Sequence, residues 1–261
     1  MTDYRFCTVQ DEGRLRIVTL NRPEVMNAIN SAMHHELQAA FDDFAADPQQ
    51  HICVVTGAGE RAFCAGSDLK AAIKDGHNGY PKDGYAGLIE RFDCSKPIIA
   101  AVNGVALGGG FEIALACDII IASENASFGL PEPLVGAVAL GGGLHRLARQ
   151  IGLKQAMGVI LTSRRVSAAE GHRLGFVNEV VRAEDLITAT ARWCAEILRA
   201  SPMSIRASKE TVMLGLEAGG VEVAMANQAH YPAFTVWAKS EDAQEGPRAF
   251  AEKRPPVWKG R

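Results

Sequence analysis

Residues 105–118 read VALGGGFEIALACD and residues 128–136 read FGLPEPLVG; the fold and the chemistry both turn on these two segments. Gly108 to Gly110 leave the backbone bare just ahead of an apolar helical run, so a ligand atom can approach the main-chain N–H groups at a helix start. Glu112 follows in the first turn of that helix, among Phe111, Ile113, Ala114 and Leu115; it reads either as a helix N-terminal carboxylate facing the macrodipole or, since burying an unpartnered carboxylate is costly, as a functional acid. Glu132 lies in a turn held by Pro131 and Pro133. Glycine-led strand-to-helix turns also hold nucleotide phosphates, but a dinucleotide site asks for G-x-G-x-x-G with its acid about 20 residues on. Here the glycines are contiguous and an acid follows within two residues, which disfavours a pyrophosphate.

Outward from this centre the chain alternates strands and helices. Arg14 to Leu20 reads as a strand broken by Asn21-Arg22-Pro23, and Asn30 or Ser31 caps a helix with Met33, Leu37, Ala40, Phe41 and Phe44 on one face. His51 to Thr56, Pro97 to Val102 and Asp118 to Ala122 read as buried strands, giving an α/β class. From Gly141 onward the pattern is mainly helical: 144–151, 153–161 and 167–174, a strand at 176–181, then helices over 183–200, 202–217 and 221–239. The expected division is an α/β core over 1–200 and a helical region over 201–261. No internal repeat is visible. Residues 74–84, KDGHNGYPKDG, are polar and glycine-rich and read as a mobile loop or a lid.

Composition narrows the function. Across 261 residues, 48% hydrophobic and 22% charged residues describe an ordinary globular chain, and a net charge of -3 gives no general attraction to nucleic acid, although Lys253 and Arg254 form a local basic patch. The six cysteines form no C-x-x-C pair and read as buried reduced thiols. The seven histidines show no metal-binding spacing, so no metal is expected. No secretory signal and no run of about 18 apolar residues is seen, so a cytoplasmic, non-membrane protein is expected. Ala65-Gly66-Ser67 is a second glycine-bearing turn ahead of a helix, and two such turns can aim N–H groups at one oxygen. Ser67 could instead be only a helix cap, and its hydroxyl has no evident His or Asp partner for a nucleophile's role.

Taken together, Phe63 to Lys70, Lys96 to Gly104, Ala106 to Glu112 and Ala126 to Glu132 resemble the enoyl-CoA hydratase (crotonase) family, and the likeness runs on through Leu161 to Arg165 and the tail Ala249 to Arg261. The resemblance implies a spiral of ββα units with a C-terminal helical trimerisation region, assembled as a homotrimer or a dimer of trimers. It implies an oxyanion hole at the N–H groups of Ser67 and Gly109, and Glu112 and Glu132 as the catalytic acids of hydration and dehydration of an acyl-CoA thioester. Coenzyme A then arrives as part of the substrate, with no tightly bound cofactor. By the same resemblance Ala65, Asp68, Leu69 and Lys70 line its adenine end, and Phe250 and Lys253 reach the coenzyme from the C-terminal region of the same or a neighbouring subunit. Residues 84–88, 110–112 and 245–254 are most similar to the carnitinyl-CoA dehydratase branch. Isomerisation or thioester hydrolysis on the same scaffold, or non-catalytic binding of CoA or RNA, are the alternatives. One departure stands out: many hydratases carry proline and glycine where this chain has Ala139 and Leu140, so Leu140 alters the pocket wall while its N–H remains for a water.

Overall fold

A computed structural model describes residues 4–75 and 79–261. The chain forms two compact units, residues 1–92 with 98–192 and residues 93–97 with 193–261.

The first unit opens with strands β1 (Cys7–Glu12) and β2 (Leu15–Leu20), an antiparallel hairpin closed at Gly13 in the left-handed region. Its mostly polar first strand is invisible to a search for apolar alternation. Helix α1 (Ser31–Ala46) is capped by Asn30, whose side chain accepts the Met33 N–H at 2.9 Å, and buries Met33, Leu37, Ala40, Phe41 and Phe44. The chain then repeats one pattern. Strand β3 (Ile52–Gly57), strand β4 (Ala62–Cys64) and helix α2 (Leu69–Asp75) form one turn. Strand β5 (Ile98–Val102), strand β6 (Val105–Leu107) and helix α3 (Gly109–Ala116) form the next. Strand β7 (Ile119–Ser123) and strand β8 (Ser127–Gly129) begin a third, continued by a short 3-10 turn over Glu132–Val135 and helix α4 (Gly143–Ile151). Helix α5 (Leu153–Thr162), strand β9 (Val166–Ser167), helix α6 (Ala168–Leu174) and strand β10 (Glu179–Val181) follow.

The first strand of each turn joins a six-stranded sheet of order β1-β2-β3-β5-β7-β10, and the second joins a four-stranded sheet of order β4-β6-β8-β9. This is a ββα spiral, repeated in backbone though not in sequence. All pairings from β2 to β10 in the larger sheet are parallel, and β5 is buried along its whole length, as its unbroken apolar run requires. Asn103 ties successive turns together: it accepts the Gly57 N–H and donates to the Gly59 and Ala62 carbonyls.

Helix α7 (Leu186–Leu198) carries the chain from the first unit into the second, which holds α8 (Pro202–Glu217), α9 (Val221–Asn227), α10 (Pro232–Trp237) and α11 (Glu241–Ala251). The single helix expected over 221–239 is broken. Tyr231 is extended ahead of Pro232, whose ring disfavours a helical preceding residue. The C-terminal tail folds back onto α11: Asp242 accepts the Lys259 N–H at 2.8 Å, and Glu245 pairs with Arg254. All six cysteines are buried and in thiol form. The loop expected over 74–84 falls in part on residues 76–78, outside the described residues. Among the described residues no helix is long and apolar enough to cross a membrane.

Candidate active site

Strands β4, β6 and β8 are neighbours in one parallel array, so their C-terminal ends form a common rim. Each end runs into one of the segments singled out in the sequence: β4 into Ala65-Gly66-Ser67, β6 into Gly108-Gly109 and β8 into Leu130-Pro131-Glu132. Ligands of parallel sheets gather at such ends, where the chain leaves the ladder.

The first two ends meet closely. Gly66 is left-handed, and a Cβ there would stand 2.8 Å from the Leu107 carbonyl and 3.4 Å from the Gly109 nitrogen. The turn is fixed by a parallel bridge in which Ile29 donates to Gly66 and Asp68 donates to Ile29, leaving the Ser67 N–H out of that ladder. Gly109 opens α3, where a first-turn N–H has no partner within its own helix. Ser67 is exposed and Gly109 buried. The turn that carries Ser67 and the glycine turn that opens α3 therefore lie side by side.

The two acids flank this pair. A Cβ on Gly108 would lie 2.8 Å from Oε1 of Glu132, so that carboxyl rests on the glycine turn, while its Oε2 is buried with no hydrogen-bond partner. Burial raises its pKa above the ordinary carboxyl value. Glu112 is 4% exposed, and its Oε1 accepts the Gly143 N–H at 2.9 Å. Its pKa is also raised, first by burial and then by the charge of Glu132, against the opposing pull of the N–H groups of Gly143 and Gly141 and of the Arg146 charge. Both carboxyls are thus shifted toward the protonated form, Glu132 by burial and Glu112 by burial together with the charge of Glu132.

Gly141 and Gly143 are the site residues that sequence reasoning missed. A Cβ on Gly141 would collide with Oε2 of Glu112, and one on Gly143 would come within 2.9 Å of its Cγ. The signal was present, since Gly141 to Gly143 stand before a helix as Gly108 to Gly110 do, but nothing in the sequence connected them with Glu112. Arg146 was missed as well; its guanidinium donates to the Ile89 carbonyl at 2.6 Å and lies over the Phe92 ring. Tyr85 is the third omission. Its ring occupies the space beside Gly109, and its hydroxyl accepts from Ser67 Oγ at 3.3 Å. Burial raises the Tyr85 pKa well above that of a free phenol, so it keeps its proton and gives the Ser67 hydroxyl no base.

The remaining expected residues are placed as follows. Ala65 donates its N–H to the Met26 carbonyl at 3.0 Å. Asp68 caps α2 through the Ala71 N–H at 3.0 Å and pairs with Arg22 at 3.0 Å, contacts that hold its carboxyl below the usual range. Leu69 and Lys70, at the start of α2, are exposed. Leu140 is 82% exposed, and its N–H donates to the Val138 carbonyl at 2.9 Å, so the N–H expected to meet a water is already engaged. Phe250 and Lys253 belong to the second unit, where Phe250 is exposed in the last turn of α11 and Lys253 is left-handed just beyond it. Among the described residues no cluster of His, Cys, Asp and Glu could hold a metal ion.

The chain belongs to the enoyl-CoA hydratase/isomerase family, whose pattern matches residues 11–261. Among its relatives, a carnitinyl-CoA dehydratase of Proteus mirabilis (strain HI4320) is 43% identical over 255 residues, covering 95% of this chain and 96% of that protein. The carnitinyl-CoA dehydratase of Salmonella paratyphi A is 42% identical with the same coverage. Of solved structures, an enoyl-CoA hydratase from Mycobacterium tuberculosis H37Rv matches with a TM-score of 0.91 at 36% identity, covering 98% of this chain and 99% of that one. The enoyl-CoA hydratase EchA1 from Mycobacterium marinum matches with a TM-score of 0.91 at 38% identity and the same coverage. The architecture is thus the crotonase spiral.

Proposed function

We propose that this chain is a hydro-lyase that reversibly adds water to a 2-enoyl-CoA and dehydrates a 3-hydroxyacyl-CoA. The observation that carries the reading is the pair Glu112 and Glu132, two carboxyls of raised pKa, one cradled by backbone N–H groups and the other on the Gly108 turn. The thioester oxygen accepts from the N–H groups of Ser67 and Gly109, which stabilise the negative charge that gathers there in the enolate. In hydration, the ionised carboxyl takes one proton from water as hydroxide bonds to C3, and the protonated carboxyl gives its proton to C2. The pair holds one proton before and after, and dehydration runs the same transfers in reverse.

Coenzyme A enters as part of the substrate, with its adenine end against Ala65, Asp68, Leu69 and Lys70. The name shared by the 42–43% identical relatives makes crotonobetainyl-CoA the first acyl group to try. A soluble homotrimer or dimer of trimers in the cytoplasm completes the proposal, and sedimentation equilibrium measures the assembly.

Glu112→Gln and Glu132→Gln should each lower the rate at which the enoyl-thioester absorbance changes by about 10²- to 10⁴-fold. Wild-type rates in both variants would falsify the hydro-lyase assignment. Mass analysis separates the other reactions of the scaffold: hydration adds one water to an intact thioester, isomerisation leaves the mass unchanged, and hydrolysis frees coenzyme A.

A further inference from the structure

Tyr85 lies outside every role assigned so far, yet it touches both turns offered to the thioester oxygen. It is 3% exposed. Its ring packs so closely on Gly109 that a Cβ there would collide with ring atoms and stand 2.6 Å from the phenol oxygen. On the other side, that oxygen accepts the Ser67 hydroxyl at 3.3 Å. One side chain therefore spans from the β4 end to the β6 end of the rim.

The local backbone is shaped to hold it there. Gly84, Ala86 and Gly87 are all left-handed, at φ 74°, 57° and 62°, and for alanine this conformation is costly unless its surroundings enforce it. The enforcement comes from α1. His34 Nδ1 accepts the Ala86 N–H at 2.9 Å, its ring meets the Tyr85 ring edge-on at 4.5 Å, and the Gln38 backbone closes on Gly87, leaving no room for a Cβ. Strain clustered around one buried aromatic, beside two functional turns, is the pattern expected of a placement that matters to the site.

We infer that Tyr85 is a positioning residue: its ring fixes the Gly109 turn and its hydroxyl fixes the Ser67 turn, so that the two N–H groups converge on one oxygen. The inference rests on the assignment of those N–H groups as the oxyanion hole. It adds a specific coupling, because the Ser67 side chain then serves the site by holding its own backbone in place.

Acetoacetyl-CoA is a suitable probe, since its enolate carries charge on the same thioester oxygen, and its absorbance reports how strongly that charge is stabilised. Tyr85→Phe keeps the ring and the fold while removing the tie to Ser67; Ser67→Ala removes the other end of the tie and keeps the backbone N–H. Each should lower kcat for crotonyl-CoA about fivefold, the worth of one neutral hydrogen bond, with KM changed less than about twofold. Each should also reduce the enolate fraction of bound acetoacetyl-CoA at fixed pH. The double variant should be no slower than the slower single one, because both substitutions break the same link. Wild-type kcat and enolate fraction in Tyr85→Phe, or single effects that multiply in the double variant, overturn the inference. If the wild-type protein itself leaves bound acetoacetyl-CoA unenolised while hydrating crotonyl-CoA, the oxyanion-hole assignment fails first and the role of Tyr85 falls with it.

Discussion

Ile98–Val102 and Val105–Leu107 are successive strands separated by two residues, yet they do different work. The first is buried along its length between parallel neighbours in the six-stranded sheet and carries none of the reacting groups. The second spans three residues and ends at the glycines that open α3. The same contrast holds between β3 and β4 and between β7 and β8. Long apolar strands hold the position of each spiral turn, and the short strands beside them deliver a backbone end or an acid to a shared rim. Stability and chemistry are therefore assigned to different sheets of one unit, and substitutions should separate them.

The largest effect is expected at the rim. In Gly66→Ala the new Cβ meets the Leu107 carbonyl in a left-handed backbone, which should turn the Ser67 N–H away from the thioester oxygen. The expected loss is about 10²- to 10³-fold in kcat, with the far-ultraviolet circular dichroism retained; a kcat within a few-fold of wild type would remove the functional half of the contrast. In the larger sheet, Ile99 is fully buried, and Ile99→Val should lower unfolding free energy by roughly 0.5 to 1.5 kcal/mol in urea titration. Its kcat at 25 °C should stay at the wild-type value, and a kcat loss rivalling that of Gly66→Ala would show that the sheets do not divide the work.

The smallest effect sharpens the comparison through pH. Because the folded pKa of Glu132 is raised, its contribution to stability is full below the ordinary carboxyl pKa and is lost as pH rises through the folded value. Glu132→Gln escapes that loss. It should be more stable than wild type at pH 7 by about 0.5 kcal/mol, with the gap closing below the ordinary carboxyl range, as thermal melts at both pH values will register. A gap that widens on acidification would contradict the direction assigned to Glu132.

The parts of the fold legible in the sequence were those with enough length to show a period. Helix α1 has its Asn30 cap and apolar face, and β3, β5 and β7 are apolar runs between turn residues. The small sheet was not legible, because Ala62–Cys64, Val105–Leu107 and Ser127–Gly129 are too short to display any alternation and are defined by pairing with one another. In the same way the spiral repeats in backbone while its turns share no side-chain pattern. At the site, Glu112, Glu132 and the glycines beside them could be singled out, because buried acids and bare turns are local anomalies. Gly141, Gly143 and Tyr85 could not, since each matters through a contact made only when distant segments meet.

The cradle of Glu112 also has a consequence for synthesis. Its N–H donors, Gly141 and Gly143, come after all three strands of the rim in chain order. A nascent chain that has emerged from the ribosome only as far as Gly129 already carries both glycine turns and the helix bearing Glu112, but not the N–H groups of Gly141 and Gly143. The N–H groups that favour the ionised form of Glu112 therefore reach it only after residue 143 has emerged, and before then burial acts on that carboxyl without them.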